Sequence, residues 1–478
     1  MMTSKNTLLR SLASVLLLSL MLPVRAGDTK PQGQTPQKLS LKEFVVKAST
    51  NDVGFEAILL DRLSLQYRRD VLLPERDIIL QIKQQMHFFE GGRRDGSSAI
   101  SLSKLFPDTG TRLSATYDKG ASLSGNDTAS MQVLIAQPLA QNAFGKAIQL
   151  QDSLIGVENQ ISHYQIVEAY EDYLAALTTV WYNWYSAFEN LKVARTAVQS
   201  GERLLKNILE RQRQKIALPV DVNKMKLSLI AKKENRVVLQ EIYDNLSNLV
   251  YSAMRYRPVG QAGNGGFVPD APGDTAKLFD FEQEYEHFVS SSRTYAILNL
   301  LDKQAGLALD QVADDLLPST ELLLAYDVDA QEWGTGSRDN RFTAGIAVSW
   351  PIGRRVDKAR YEIEQLQRKK TRLSNQSKLE DLRTNLGNLY LQIQREQELM
   401  EISQQKIQLA QAVLKDEKEN YSFGKISLND YISAVNNVDE NRFSYTRHVV
   451  QLNKLMLEWM RLADRLVDEK EIIDVSTH

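Results

Sequence analysis

The chain has 478 residues, with 58 Lys and Arg against 60 Asp and Glu, 12 Pro, 24 Gly and no Cys. A net charge of −2 gives no electrostatic footprint for nucleic acid, and the missing cysteine excludes disulfides, thiolate metal sites and a lipidated N-terminal Cys. So little Pro and Gly over this length favours long, uninterrupted elements.

Residues 1–26, "MMTSKNTLLRSLASVLLLSLMLPVRA", set Lys5 and Arg10 before an apolar run from Leu12 to Leu22, with Val24 and Ala26 at the positions a signal peptidase reads. The run is shorter than the ~20 residues of a membrane-spanning helix, so it predicts a secretory signal peptide. Its loss removes Lys5, Arg10 and Arg25 and moves the net charge from −2 to −5. Beyond it no apolar run approaches bilayer length. An exported chain of this kind is soluble, or reaches an outer membrane as β-strands.

After an N-terminal linker, 27–40, the sequence is written twice, as a first repeat over 41–254 and a second over 280–468. "DVLLPERDIILQI" (Asp70 to Ile82) matches "DDLLPSTELLLAY" (Asp314 to Tyr326), and "IAQPLAQNAFGKA" (Ile135 to Ala147) matches "VSWPIGRRVDKAR" (Val348 to Arg360). "RQRQKIALPVDVNKM" (Arg211 to Met225) matches "NYSFGKISLNDYISA" (Asn420 to Ala434), with Asp221 falling on Asp430. A Pro/Gly-rich linker, 255–279, separates the copies and a tail, 469–478, follows. Each copy predicts helix, strands, a very long helix, a break and a second long helix.

The strand segments alternate strictly. Ile78, Leu80, Ile82 and Met86 oppose Gln81, Lys83, Gln85 and His87, and Met131, Val133 and Ile135 oppose Ser130 and Gln132. In the second copy Leu322, Leu324, Tyr326 and Val328 share a face, as do Phe342, Ala344, Ile346, Val348 and Trp350. Runs of ~9 to 12 residues are long enough to cross a bilayer when tilted, and Trp350 stands where an interfacial aromatic belt would lie. This reading gives four transmembrane strands per chain. A closed barrel needs about eight, so several chains must share one. The extra residues of copy one, 90–127, read as an extended surface loop with some strand at Thr111 to Tyr117.

From Tyr170 the apolar and small residues Tyr173, Leu177, Val180, Trp184, Ala187, Leu191, Ala194 and Val198 follow in steps of three and four, and Leu379, Leu382, Leu386, Leu389 and Ile393 repeat the rhythm. That spacing is a coiled-coil seam, and the cluster "VWYNWYSAF" belongs to it. At the breaks, Gly424 suits a left-handed helix end, Ser427 an N-cap with Asp430 as capping-box carboxylate, and Pro219 a first helical position with Asp221 three past the cap. Two readings of the aspartates stay open: first-turn dipole stabilisation, or, repeated around a tube mouth, a cation-selecting ring of carboxylates.

In the duplicated order of these landmarks the chain resembles the TolC-like outer membrane efflux proteins. The resemblance rests on "LSLKEFVVKA", the two "LLP" segments, "QPL" and "WPI", and the closing run from Tyr421 to Asp464. It implies an α+β, mostly α homotrimer, with a 12-stranded β-barrel in the outer membrane continued by a 12-helix periplasmic tube. It further implies a periplasmic adaptor (membrane fusion) protein docked at the hairpin tips and an inner membrane RND or ABC transporter behind it. Tyr421 and Gly424 match the family's tip motif, and Asp430 and Asp221 its entrance aspartates. Ser433 stands at a second ring position, Ile426 replaces a basic tip residue, and Lys215 stands where a tip glycine is usual.

Nothing points to catalysis or to a cofactor. The five histidines, His87, His163, His287, His448 and His478, show no metal-ligand spacing, and neither a nucleophile motif nor a phosphate loop occurs. The competing function is a structural or adhesive coiled-coil protein of the envelope, which would need no duplicated bilayer-length strands.

Overall fold

The computed structural model describes residues 37–50, 52–73, 77–88, 90, 94–122, 128–256, 266–273, 280–330 and 338–467. The signal peptide, Pro74, most of the 255–279 linker and the tail from 469 lie outside the described residues. The described chain falls into two compact units, and each draws on both sequence repeats. One takes residues up to 59, 167–292 and from 381 on; the other takes 60–166 and 293–380.

The second of these units holds a six-stranded, wholly antiparallel sheet. Its strands are β2 (Ile79–Phe88), β3 (Arg94–Phe106), β4 (Thr111–Ser122), β5 (Thr128–Pro138), β7 (Ser319–Ala330) and β8 (Arg338–Ser349), in the order β2-β3-β4-β5-β7-β8. The expectation of four strands is therefore corrected to six: segment 90–127 supplies all of β3 and β4, so the strand expected at Thr111 to Tyr117 is the first part of β4 and the surface loop around it is replaced by sheet. Its alternation is hidden by small residues. In "SSAISLSKLF" Ile100, Leu102 and Phe106 share one face with Ser98 and Lys104, and Leu105 falls on the other among Ser97, Ala99, Ser101 and Ser103, and a Ser/Ala/Gly-rich strand looks like loop by composition.

Pairing keeps the two faces in phase across all six strands. One row runs Leu80, Leu102, Ala115, Val133, Tyr326, Phe342; the next runs Gln81, Ser101, Thr116, Gln132, Asp327, Arg341. Successive side chains on a strand point to opposite faces, so one face is apolar and the other small or polar. The apolar face is uncovered in the single chain: Ile82 is 69% exposed, Phe342 68% and Ile346 66%. Trp350 lies one residue beyond β8, 59% exposed, with the Arg354 guanidinium 5.6 Å from its ring centroid.

Most of helix α2 (Val53–Leu72), α6 (Arg293–Asp314), and the first parts of α3 (Lys146–Arg213) and α7 (Arg355–Ser422) complete this unit. The corner between β5 and α3 is pinned by Asp314, 1% exposed, which accepts the Asn142 N–H at 2.7 Å and lies 3.5 Å from Lys146 Nζ.

The other unit contains β1 (Gln37–Leu39) paired in parallel with β6 (Phe267–Pro269), and α1 (Leu41–Ser49), α4 (Pro219–Ala253), α5 (Phe281–Ser291) and α8 (Leu428–Leu462), besides the start of α2 and the remainders of α3 and α7. Its cores are the seams read from the sequence. Trp181, Trp184, Phe44 and Val250 are fully buried and cluster with Leu457, and Trp184 Nε1 donates to Ser247 Oγ at 2.9 Å. A second cluster packs Leu386, Leu389 and Ile393 of α7 against Trp459 and Phe288. α3 and α7 have 68 residues each, roughly 100 Å at 1.5 Å per residue. None of the described helices is long and apolar enough to cross a membrane.

Candidate functional site: the paired hairpin tips

The α3–α4 turn ends its first helix on a left-handed residue. Lys215 has φ 61°, its N–H bonds to Gln212 O at 2.9 Å, and Ile216 N–H returns to Arg211 O at 2.8 Å. Two carbonyls that the helix end leaves open are thereby satisfied. A side chain in this conformation costs about 1–2 kcal/mol, which Gly avoids. Leu218 then takes the N-cap position and Pro219 the first helical position. Leucine offers no side-chain acceptor, so only half of a capping box forms: Asp221 Oδ2 accepts the Leu218 N–H at 3.1 Å.

The α7–α8 turn has the same backbone course with different residues. Gly424 has φ 72°, Gly424 N–H bonds to Tyr421 O at 3.1 Å, and Lys425 N–H bonds to Asn420 O at 2.9 Å. Here the capping box is complete: Ser427 Oγ accepts the Asp430 N–H at 3.3 Å and Asp430 Oδ2 accepts the Ser427 N–H at 3.2 Å. Both aspartates are thus occupied at helix N-termini, where a carboxylate is stabilised by the macrodipole. Asp430 is exposed and Asp221 half-buried.

The two tips are fastened together. Arg211 Nη1 donates to Tyr421 O at 3.3 Å, and its guanidinium sits 4.7 Å from the Tyr421 ring centroid, a cation–π contact. The ring stacks on Tyr431 at 5.4 Å with 12° between planes. Beneath them Val198, Ile208, Val222, Met225, Leu229 and Leu428 form a shared apolar cluster. Burial pushes the Tyr421 phenol up, with Arg211 opposing the rise and Asp221 adding to it. Farther along, Lys232 and Asp439, both nearly buried, pair at 2.8 Å between α4 and α8.

Of the residues singled out from sequence, Lys215, Asp221, Tyr421, Gly424 and Asp430 all lie in the two turns or the helix ends beside them; Trp350 lies in the sheet unit. Sequence reasoning missed Arg211 and Tyr431. The signal existed in part, since Arg211 opens the quoted tip segment and Tyr431 follows Asp430, but single-helix patterns do not show contacts between hairpins. Among the described residues no group of three or more His, Asp or Glu is placed to hold a metal ion.

No protein-family model and no curated protein matches the sequence. Solved structures do match the fold. CusC, described for its folding and transmembrane channel formation, superposes with a TM-score of 0.67 at 9% identity over 91% of this chain and 95% of its own. The outer membrane protein VceC of Vibrio cholerae gives 0.66 at 11% identity over 89% and 95%. The CmeC outer membrane channel of Campylobacter jejuni gives 0.64 at 11% identity over 96% and 97%. The chain shares their fold. At such low identity the likeness fixes how the long helix pairs and antiparallel strands are arranged, and no individual side chain.

Proposed function

We propose that the chain is the outer membrane channel of an envelope-spanning efflux or secretion system, of the TolC-like kind that the sequence resembles. It is a passive conduit rather than an enzyme, and works as a homotrimer with a periplasmic adaptor and an inner membrane transporter. The observation that carries this is the sheet: an apolar face, a small or polar face, and two long open edges, β2 and β8. An uncovered apolar face of this extent suits lipid. Open edges recruit further strands, and since β2 and β8 run in opposite directions, β8 of one copy can pair antiparallel with β2 of the next in a closing ring.

The helices support the same assembly. On α7 Ile363, Leu366 and Leu373, and again Ile402, Leu409 and Val413, are exposed at steps of three, four and seven, as are Leu227, Ile230 and Val237 on α4. These are unpartnered coiled-coil seams, and a second copy of the chain is the occupant that repeats their spacing. The tips serve as the adaptor contact through Lys215, Tyr421 and Gly424, and Asp221 and Asp430 contribute to a carboxylate ring at the periplasmic entrance in addition to capping. Trp350 joins the interfacial belt.

Membrane fractionation of the native protein tests the proposal. Recovery with outer membranes, requiring detergent for release, is expected; recovery in a detergent-free periplasmic fraction contradicts it and favours the coiled-coil envelope protein.

A further inference from the structure

We propose that the β3–β4 hairpin is a widening insert in the barrel wall, so that three copies close an eighteen-stranded barrel whose exit admits bulkier solutes than twelve strands would. The proposal rests on the trimeric channel reading above. Its first support is continuity. β3 pairs with β2 from Ile79↔Ser103 to Phe88↔Arg94, and β4 pairs with β5 from Arg112↔Ala136 to Gly120↔Thr128. The hairpin therefore lies within the sheet, bonded on both sides.

Phase is the second support. Ile100, Leu102, Ala115 and Tyr117 fall on the apolar face of the neighbouring strands, while Ser101, Ser103, Ser114 and Thr116 fall on the other. A one-residue slip would reverse every side chain, so a hairpin that is in register on both flanks carries the lipid-facing pattern of the wall over its middle, with Lys104 and Lys119 on that face toward its two ends.

The third is anchorage. At the turn 107–110 Gly110 has φ 68°, and a Cβ there would come within 2.9 Å of Gly145 N; a Cβ on Gly145 would meet Pro107 O at 2.4 Å. Gln149 Nε2 donates to Asp108 O at 3.1 Å and Gln137 Nε2 to Thr109 O at 2.8 Å. The turn is seated on the start of α3 in close backbone contact that two glycines permit.

Topology makes the insertion neutral to closure. β2 and β5 run antiparallel, so without the hairpin they would pair directly and leave a four-stranded sheet. Barrel diameter grows roughly linearly with strand number, so eighteen strands in place of twelve widen it about 1.5-fold and place it among barrels with an open aqueous channel. The inserted lumen face is mostly Ser, Thr and Ala, with Arg112 and Asp118 toward opposite ends. It thus adds circumference with little side-chain bulk.

Since the native chain has no Cys, single cysteines report the wall directly. In native outer membranes, Ser101→Cys and Thr116→Cys should react with a membrane-impermeant maleimide at least tenfold faster than Ile100→Cys and Ala115→Cys. Equal labelling of all four overturns the insert while leaving the channel reading intact. Native mass spectrometry of the detergent-extracted protein should give three chains. Two chains would close twelve strands and overturn the proposal, and absence from the outer membrane would overturn the channel reading with it. In planar bilayers, excision of Arg94–Ser122 should lower the size of polyethylene glycol that enters from the barrel side; an unchanged cut-off counts against the insert.

Discussion

The two hairpin tips follow one backbone course with different residues. Copy two uses the residues best suited to each position: Gly424 at the left-handed end, Ser427 as cap and Asp430 closing the box. Copy one puts Lys215 in the left-handed position and Leu218 at the cap, and retains only the carboxylate of Asp221 and a helix-starting proline. The contrast teaches that the turn is set by the unpaired backbone groups of two meeting helix ends. A carboxylate three residues past the cap is the feature both copies keep, and its hydrogen bond to the cap N–H accounts for it locally. Any part in selectivity is added by assembly.

The largest expected effect lies in the copy-one seam on α3, since α7 has no tryptophan in its own. Trp184→Ala should destabilise the unit by about 3–5 kcal/mol, read as a fall in the melting temperature of the detergent-solubilised protein. Trp184→Phe should keep most of the packing and lose the hydrogen bond to Ser247, worth about 1 kcal/mol.

At the turns themselves the copies should respond with opposite signs. Gly424→Ala places a side chain at φ 72° and should loosen its turn by about 1 kcal/mol, whereas Lys215→Gly should relieve a similar strain. Hydrogen exchange of the Lys425 and Ile216 amides reads both: faster in the first variant and slower in the second. Equal responses would mean that the turns are not equivalent in conformation.

Capping gives a somewhat smaller contrast. Ser427→Ala should cost about 1 kcal/mol, and Leu218→Ser should recover a fraction of that by completing the copy-one box. The smallest expected effect is on conduction. Asp221→Asn with Asp430→Asn should reduce cation over anion permeability in planar bilayers, and unchanged selectivity would leave both aspartates with capping alone.

Much of the fold was legible because its signals are local. Alternation marked β2, β5, β7 and β8, the three-and-four rhythm marked the seams of α3 and α7, and Pro219, Gly424 and Ser427 marked the breaks. The β3–β4 hairpin was legible only at Thr111 to Tyr117 in β4; β3 was not, since the Ser, Ala and Gly of Gly96 to Ser103 weaken the period-two signal. The latch between tips was equally hidden: Arg211 and Tyr421 are 210 positions apart, and their meeting depends on how two hairpins pack. The resemblance also suggested twelve strands for a trimer, because it carried a family strand count onto a chain with a longer first strand region.

The central claim is that the open edges β2 and β8 close between copies. Ile82→Cys on β2, combined in turn with Phe342→Cys, Ala344→Cys, Ile346→Cys and Val348→Cys on β8, tests it by mild oxidation in native outer membranes. At least one pair should give a ladder of disulfide-linked chains that ends at the trimer. Only unlinked monomers, or a bond formed within one chain, would contradict it.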